Sequence, residues 1–332
     1  MRKILFLMII SHVGISQQSG INLNTSDSYN GYTLFCPIGS TTTFLIDNCG
    51  NIVHTWESNY PPGLSVYLLE NGKLLRTGKL SPDIPEGATE WGRGDAGYIE
   101  ILDQNSNIEW SYEYYNENSY MSHHDVEALP NGNILILAWE FKTAEEAISL
   151  GRNPNTLIDN QLWPEHIVEI EPIGTNGANI VWEWHLWDHM IQDINPNLPN
   201  YGVISEHPEL ININYIGANS NAPSSADWIH ANSVDYNKEL DQIIISSRKF
   251  CEFWIIDHST TSEEASTGQG GNSGMGGDIL YRWGNPAAYN QGTTADRKLF
   301  FQHDVQWINS EFLDGNKIMA FSNGTAQTQS ST

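Results

Sequence analysis

Alternating apolar and polar positions, broken by short turn signals, run through most of this 332-residue chain. Segments rich in Val, Ile, Trp and Tyr show the period-two pattern of half-buried strands, and Asn-Gly, Asp-Gly or Asn-rich turns separate them. Two such segments around one turn predict a β-hairpin. Four predicted hairpins share one internal register: residues 65–78, 124–140, 230–249 and 303–324.

A second hairpin follows each of the first three and ends in an aromatic strand. These second hairpins cover residues 97–114, 166–186 and 251–284, and residues 31–57 resemble the last three strands of an earlier unit. Four-stranded units repeated along a chain are typical of an all-β β-propeller. A β-sandwich is the alternative, but the shared register and similar endings of the units favour the propeller.

The units number one partial unit, three complete units and the first half of a fifth. A propeller closes by pairing its last strands with its first, because open sheet edges are unstable. The pattern therefore predicts an open arc that is incomplete at its C-terminal end. Helix content is expected to be small, and the best candidate is a short segment at 143–150.

The first sixteen residues have the pattern of a secretory signal peptide. Arg2 and Lys3 precede an apolar core at 4–10, and the small residues Gly14 and Ser16 precede the expected cleavage site. We therefore expect export to the periplasm or the medium, with residues 17–332 forming the propeller domain. No later apolar run is long enough to span a bilayer.

Three cysteines follow the predicted signal peptide. Cys36 and Cys49 flank a predicted hairpin, and an oxidising compartment would permit a disulfide between them. Free thiols at both positions are the alternative. Cys251 lies inside an apolar strand and is expected to be a free thiol.

Composition narrows the function class. Lys and Arg number 15 and Asp and Glu number 40, so the formal charge is 15 − 40 = −25. Such a charge argues against a reader of nucleic-acid backbones and against docking on anionic lipid. Twelve Trp and fourteen Tyr are too many for a disordered acidic chain, and they favour a folded β protein.

Three histidines fall at matching positions of three units. His124 lies seven residues before Asn131 of its turn, His230 lies seven before Asn237, and His303 opens the corresponding strand of the next unit. The first strand of each propeller blade lines the central channel, so the three histidines are predicted to face that channel. A single histidine would more often be structural, but the recurrence favours a functional site.

Two further polar residues are predicted at the same rim. Asn232 follows His230 by two residues and therefore points to the same face of a strand. Arg248 follows the apolar run of the returning strand, and in a chain with so few basic residues it indicates an anion site. A structural salt bridge to one of the many carboxylates is the alternative for Arg248.

Neighbouring residues receive weaker predictions. Asp125 and Asp304 each follow a channel histidine and are expected to face the other side of the strand, as turn or interblade partners. His123 is expected to face away as well, and His189 is a weaker candidate from a loop. Two hypotheses apply to Trp139, Trp228 and Trp307. They could stack on a substrate ring, but burial between blades is the better hypothesis.

Several chemistries remain open for three histidines, one asparagine and one arginine. Glycoside hydrolysis requires two matched carboxylates, and none stand out. Zinc or copper bound by three histidines is an alternative, although a nearby arginine would oppose a cation. Transfer of an anionic group by a neutral histidine explains the whole set. A secreted propeller that binds an anionic ligand without turning it over is the remaining alternative.

Long segments of this sequence resemble the bacterial arylsulfotransferases, which transfer sulfuryl groups without a nucleotide sulfate donor. The similar segments are HHDVEALPNGNILILAWE at 123–140, DWIHANSVDYNKELDQIIISSRKF at 227–250, and QHDVQWI at 302–308. The resemblance covers roughly residues 30–324. It implies an exported six-bladed propeller with a funnel-like site. Compared with that pattern, we expect this chain to lack the last blade or blades. We also expect it to lack the separate N-terminal β domain that some members carry.

The resemblance also implies a mechanism and its residues. A sulfuryl group would pass from a phenolic sulfate donor to a phenol acceptor in a ping-pong reaction through a sulfohistidine, with no metal or other cofactor. The nucleophile of the family corresponds to His303, its His-x-Asn motif to His230 and Asn232, its arginine to Arg248 and its earlier histidine to His124. These are the five residues that the repeat pattern places at the channel.

Overall fold

The structure, a computed structural model, describes residues 23–80, 94–218 and 225–324. Antiparallel sheets follow one another along the chain, as the repeat pattern predicts. The predicted signal peptide at 1–16 lies outside the described residues. Across the described ranges, no helix has the length and apolarity needed to cross a bilayer.

The first two sheets contain three and four strands. Their strand order follows the chain, so each strand pairs with its sequence neighbours across short turns. Sheet 1 consists of β1 (Tyr32–Phe35), β2 (Thr42–Asp47) and β3 (Ile52–Glu57). Sheet 2 consists of β4 (Pro62–Leu68), β5 (Leu74–Lys79), β6 (Gly97–Leu102) and β7 (Ile108–Glu113).

Sheet 3 has five strands where the sequence predicted four. The additional strand is short and pairs with the inner edge of the sheet through Tyr115 and Met121. The five strands, in chain order, are β8 (Tyr115–Asn116), β9 (Tyr120–Ala128), β10 (Ile134–Glu140), β13 (Glu165–Ile173) and β14 (Gly177–His185). Two small strand pairs lie in the insertions: β11 (Lys142–Thr143) with β12 (Gln161–Leu162), and β15 (Met190–Ile191) with β16 (Ile211–Asn212).

The last two sheets complete the described part of the chain. Sheet 4 consists of β17 (Ala231–Asn237), β18 (Gln242–Ser247), β19 (Glu252–Asp257) and β20 (Tyr281–Trp283). Sheet 5 is a single hairpin of β21 (His303–Trp307) and β22 (Ile318–Phe321). The hairpins predicted at 230–249 and 303–324 are therefore confirmed.

The helices are few and short. Helix α1 (Ala144–Ser149) confirms the prediction at 143–150, and it begins at a capping box in which the side chains of Thr143 and Glu146 bond each other's backbone N–H groups. Helix α2 (Ser262–Ala265) begins at a second such box. Single 3-10 turns lie at Pro154–Thr156, Leu186–Asp188, Ile204–Glu206, Pro286–Tyr289 and Thr294–Asp296.

Strands β4, β9, β17 and β21, the inner strands of sheets 2 to 5, lie side by side in chain order. Asp125 on β9 accepts a hydrogen bond from the Val234 N–H on β17 at 3.0 Å. The Val305 N–H on β21 donates in turn to Ser233 Oγ on β17 at 2.9 Å. These inner strands surround one cavity, so the sheets form a propeller-like arc, in agreement with the predicted all-β class.

The hydrophobic core is divided into layers between successive sheets. The largest layer joins sheets 3 and 4 through buried residues such as Leu137, Trp184, Ile245 and Trp254. Central strands carry continuous apolar runs, as β10 does from Ile134 to Trp139, because neighbouring sheets cover both of their faces. This layered packing fixes the inner strands relative to one another.

The cysteines are all free thiols. Strand β1 pairs with β2 so that Tyr32 lies opposite Asp47 and Phe35 opposite Phe44. Cys36 and Cys49 consequently lie at opposite ends of this hairpin, too far apart for a disulfide. The predicted alternative of two free thiols is the arrangement found, and Cys251 is buried as expected.

Candidate active site

A cavity of about 530 Å³ lies where the inner strands meet. Three of the predicted site residues, His124, Asn232 and His303, form part of its wall together with Asp125 and Asp304. The rest of the wall is largely apolar and includes Leu34, Phe35, Pro62, Leu64, Val66 and Tyr67. The cavity therefore combines a histidine-rich polar side with a surface suited to a ring.

His303 is held at the start of β21 by its neighbours. The buried Gln302 amide donates to the Glu252 carbonyl at 2.7 Å and to the Ser247 carbonyl at 3.0 Å, which anchors the backbone just before His303. His303 Nδ1 lies 3.1 Å from the Phe301 carbonyl and 3.1 Å from Asn323 Oδ1. Both oxygens accept hydrogen bonds, so Nδ1 carries the proton and Nε2 keeps its lone pair.

Burial and nearby positive charge keep His303 neutral. Burial lowers the pKa of the His303 ring most, and Arg248 and His230 lower it further, while the Asn323 bond partly opposes them. A neutral imidazole with a free Nε2 lone pair is the form that acts as a nucleophile.

His124 and His230 stand edge to face beside each other. Their ring centroids are 4.8 Å apart and their planes meet at 77°. Both residues have left-handed backbone conformations, with φ of +53° and +55°, and such strain in a non-glycine residue is typical of functional positions. Burial lowers the pKa of His124 well below the ordinary value, and the neighbouring His230 and His123 add to this effect.

A buried carboxylate fixes the His230 ring. Asp227 bonds Nδ1 of His230, and Lys249 donates to the Asp227 carbonyl and to Ser225 Oγ, the latter at 2.7 Å. Burial alone would raise the pKa of Asp227, but His230 and Lys249 hold it below its usual range.

Arg248 lies directly after β18, and its backbone N–H donates to the His230 carbonyl at 3.2 Å. Its guanidinium stacks on the Phe301 ring, 5.1 Å from the centroid, and makes no hydrogen bond or ion pair with any described residue. The alternative of a structural salt bridge therefore finds no support within the described ranges. A half-buried cation without a protein partner is available for an anion.

Asn232 lies two residues after His230 and forms a hydrogen bond with the residue that precedes His303. Its Nδ2 donates to the Gln302 carbonyl at 2.9 Å, and its Oδ1 is buried without a partner among the described residues. An amide nitrogen carries two hydrogens, so one donor remains for a ligand in the cavity.

The three histidines occupy different positions in the strand registers of their sheets, so the registers do not bear out their predicted equivalence. Leu64, His124 and Asp304 (φ +52°) have positive φ within the irregular parts of β4, β9 and β21, whereas His230 lies directly before β17, ahead of the irregularity between Ala231 and Val234. His303 lies one position before Asp304, and its side chain still reaches the cavity.

These irregular registers also correct the orientation of the neighbouring acids. A left-handed residue breaks the alternation of a strand, and Asp304, which was expected to face away, lines the cavity. Asp125 is the interblade partner that was expected, since it bonds Tyr67 Oη at 2.6 Å, and it lines the cavity as well.

The weaker candidates have structural positions. His189 lies between Asp278 (Nδ1, 2.7 Å) and the Ala265 carbonyl (Nε2, 2.9 Å), outside the cavity, so its prediction as a site residue is wrong. None of Trp139, Trp228 and Trp307 lines the cavity, and each packs between elements as the better hypothesis stated. The aromatic residues of the cavity wall are Phe35 and Tyr67, which the sequence analysis missed.

Four polar residues that support the site were also missed. Asp227 and Lys249 had weak local signals, because each lies within three residues of a predicted site residue. Glu165 and Asn323 had none, since each reaches the site from another part of the sheet arrangement. The described residues include no group of three or more His, Cys, Asp and Glu side chains arranged to hold a metal ion.

These features define a propeller-like all-β protein with two histidines and an asparagine in the wall of one cavity, His230 beside His124, and an Arg248 guanidinium without an acceptor among the described residues. The Arylsulfotransferase (ASST) family model matches residues 39–332, and the chain belongs to this family. Membership supports arylsulfotransferase function in the broad sense and implies phenolic substrates.

Two solved structures are distantly similar to this chain. Hydrazine synthase of Kuenenia stuttgartiensis matches with 13% identity and a TM-score of 0.43, over 88% of this chain and 68% of that chain. A streptogramin B lyase matches with 11% identity and a TM-score of 0.38, over 90% and 67%. A comparison with curated protein sequences finds no match.

Proposed function

We propose that this protein transfers a sulfuryl group from a phenolic sulfate ester to a phenol in a ping-pong reaction through His303. The neutral Nε2 of His303 attacks sulfur in line, and the bond from sulfur to the phenolic oxygen breaks. The sulfuryl group then rests on Nε2 until an acceptor phenol attacks it and regenerates the neutral imidazole.

The tautomer of His303 is the observation that carries this proposal. The Phe301 carbonyl 3.1 Å from Nδ1 requires a proton on that nitrogen, and His303 lines the cavity. Because the pKa of His303 is lowered, the ring keeps its lone pair at neutral pH. A nucleophile is thus prepared without a general base.

Arg248 and Asn232 supply the oxyanion contacts in this proposal. Sulfuryl transfer, like phosphoryl transfer, has a loose transition state with charge on the peripheral oxygens, so positioned donors dominate catalysis. Arg248 has a guanidinium without a protein partner, and Asn232 has one amide hydrogen left. His124 or His230 donates a proton to the leaving phenolate and recovers it from the acceptor phenol. The apolar wall at Phe35 and Leu64 accommodates the ring.

Turnover of 4-nitrophenyl sulfate with phenol tests the proposal. We expect nitrophenolate release that requires phenol, and His303→Ala should reduce it by more than about a thousandfold without loss of the fold. Incubation with donor alone should add the mass of one SO₃ group to His303 in the native protein. His207→Ala on the surface is the matched control. Retained turnover in His303→Ala, or a label on another residue, would contradict the proposal.

The N-terminal segment and the blade number belong to the same proposal. The signal pattern at 1–16 supports export, which sequencing of the mature N-terminus after secretion tests. The family resemblance supports a ring of six blades, of which sheets 1 to 5 supply consecutive members.

A further inference from the structure

Three buried side chains form a hydrogen-bonded row behind the cavity wall. Glu165 Oε2 lies 2.7 Å from His123 Nε2, and His123 Nδ1 lies 2.9 Å from His124 Nδ1. Glu165 and His123 are each 1% exposed, and only His124 reaches the cavity. The row therefore leads from a sheltered carboxylate to a ring in the cavity wall.

The surroundings hold this row in one geometry. The Ala231 N–H donates to Glu165 Oε1 at 2.7 Å, and the Trp139 ring stacks on His123 with centroids 4.0 Å apart and an interplanar angle of 11°. Gly94 lies against the His124 ring, and a Cβ atom there would come within 2.1 Å of it. Neither histidine can turn away without a clash or a lost hydrogen bond.

The contact between the two Nδ1 atoms contains one proton, which either ring can hold. When His123 holds it, His123 is an imidazolium paired with Glu165, and His124 carries its own proton on Nε2. When His124 holds it, His123 is neutral and His124 Nε2 presents a lone pair to the cavity. Burial opposes a charge on His124, whose pKa is lowered, while the Glu165 carboxylate lies 2.7 Å from His123 Nε2.

We propose that Glu165 and His123 are positioning residues that relay a proton to and from His124, so that His124 acts on the phenolic oxygen while remaining neutral. This inference rests on the proposed function. It assigns to His124 the proton transfer that could otherwise belong to His124 or His230.

The protons balance over the two half-reactions. As the bond from sulfur to the phenolic oxygen breaks, His124 Nε2 gives its proton to the leaving oxygen, and the proton of His123 Nδ1 moves to His124 Nδ1. The row has then lost one positive charge, and Glu165 remains a carboxylate. The acceptor phenol later returns a proton to His124 Nε2, and the Nδ1 proton moves back to His123.

Glu165→Gln tests the relay with two donors of different leaving-group acidity. In this variant the Ala231 N–H holds the amide oxygen, so the amide NH₂ donates to His123 Nε2. His123 is then neutral, with its single proton on Nδ1, and it cannot pass that proton to His124 without becoming an anion. We expect kcat/KM for phenyl sulfate to fall by about 10²-fold, the lower range for general acid catalysis. For 4-nitrophenyl sulfate, whose leaving anion needs no proton, the fall should be less than about threefold.

Two further variants complete the experiment. Glu169→Gln changes a carboxylate of the same strand that accepts from another histidine, His258, at 2.8 Å, and it should leave both constants unchanged. His123→Phe keeps the stack on Trp139, removes the proton path, and should repeat the selective loss even if Glu165→Gln does not fold. Equal losses for both donors, or none, would overturn the relay. Failure of the unaltered protein to use either donor would overturn the proposed function itself.

Discussion

At the scale of single residues, Arg248 differs from the other arginines of the described chain in the partners of its guanidinium group. Arg76 pairs with Glu100 at 2.9 Å and Arg282 pairs with Glu252, both in buried positions. Arg152 donates to backbone carbonyls. Arg248 alone of these four keeps its guanidinium free of protein acceptors among the described residues, although the sequence has 40 acidic side chains. Its charge is therefore available to a ligand.

Arg248→Lys should impair catalysis and leave stability nearly unchanged. A guanidinium grips two sulfate oxygens in one plane, whereas an ammonium is a point charge, so kcat/KM for the donor should fall by about 10²-fold. Thermal unfolding should shift little because no salt bridge is lost. Arg76→Lys is the control with the opposite expected result. It should lower the free energy of unfolding by about 1–3 kcal/mol and leave kcat/KM unchanged. A stability loss in Arg248→Lys with normal turnover would indicate a structural role.

In the proposed mechanism, the pKa of His303 sets the acid limit of the first half-reaction. Protonation removes the Nε2 lone pair, and because the pKa is lowered in the folded protein, the neutral form persists further into acid. With 4-nitrophenyl sulfate, kcat/KM should therefore decline with a midpoint below about 6.5, the ordinary histidine value. Arg248→Met should move the midpoint upward, since Arg248 is one of the charges that lower this pKa. A midpoint above 6.5 in the unaltered protein would exclude His303 as the group observed.

The inner strands are the elements that position the site. Asp125 on β9 accepts from Tyr67 Oη on β4 at 2.6 Å and from the Val234 N–H on β17 at 3.0 Å, so one carboxylate joins three successive sheets. Burial raises the pKa of Asp125 to about 7, despite the hydrogen bonds that lower it. The carboxyl group joins these strands through the hydrogen bonds that it accepts.

Asp125→Asn should weaken the junction between these strands. One amide oxygen replaces two acceptor oxygens, and the amide NH₂ must face either the Val234 N–H or the Tyr67 hydroxyl. We expect the free energy of unfolding to fall by about 2 kcal/mol, the cost of a buried donor left without its acceptor. Urea titrations of this variant and of the exposed control Asp193→Asn provide the comparison. A change in the control as large as in Asp125→Asn would count against the junction.

At the scale of the whole molecule, the net negative charge of the protein affects its encounter with the proposed anionic donor. The formal charge of −25 surrounds a cavity that is proposed to receive an anionic donor, and Asp125 and Asp304 form part of its wall. Repulsion between like charges slows encounter at low ionic strength, and salt screens it. In the proposed mechanism, Arg248 attracts the anion only at close range.

Added sodium chloride should therefore accelerate capture of the donor. We expect kcat/KM for 4-nitrophenyl sulfate to rise severalfold between about 10 and about 150 mM salt, as the Debye length shortens to about 8 Å. The neutral acceptor phenol is the internal control, and its kcat/KM should stay constant. A fall in the donor constant would show that local attraction by Arg248 outweighs the field of the molecule.

Local patterns in the sequence determined the strands, the turns and most of the cavity histidines. Period-two alternation and turn residues act within about ten residues, so hairpins such as β9–β10 and β17–β18 and the cap of α1 are readable without any partner. The repeat of these hairpins then places His124, Asn232 and His303 at inner strands. The resemblance to arylsulfotransferases drew on the same segments and is confirmed by the family match.

The tertiary structure alone decided which groups complete the site. Glu165 meets His123 across 42 positions and Ala231 across 66, through sheet pairing and stacking that no local pattern encodes. The irregular registers around His124 and Asp304 break the alternation of side chains along β9 and β21, and both residues line the cavity. The strand register likewise separates Cys36 from Cys49. Histidine tautomers, hydrogen-bond partners and strand register depend on how the strands and sheets lie relative to one another. That arrangement is fixed only when the sheets pack together.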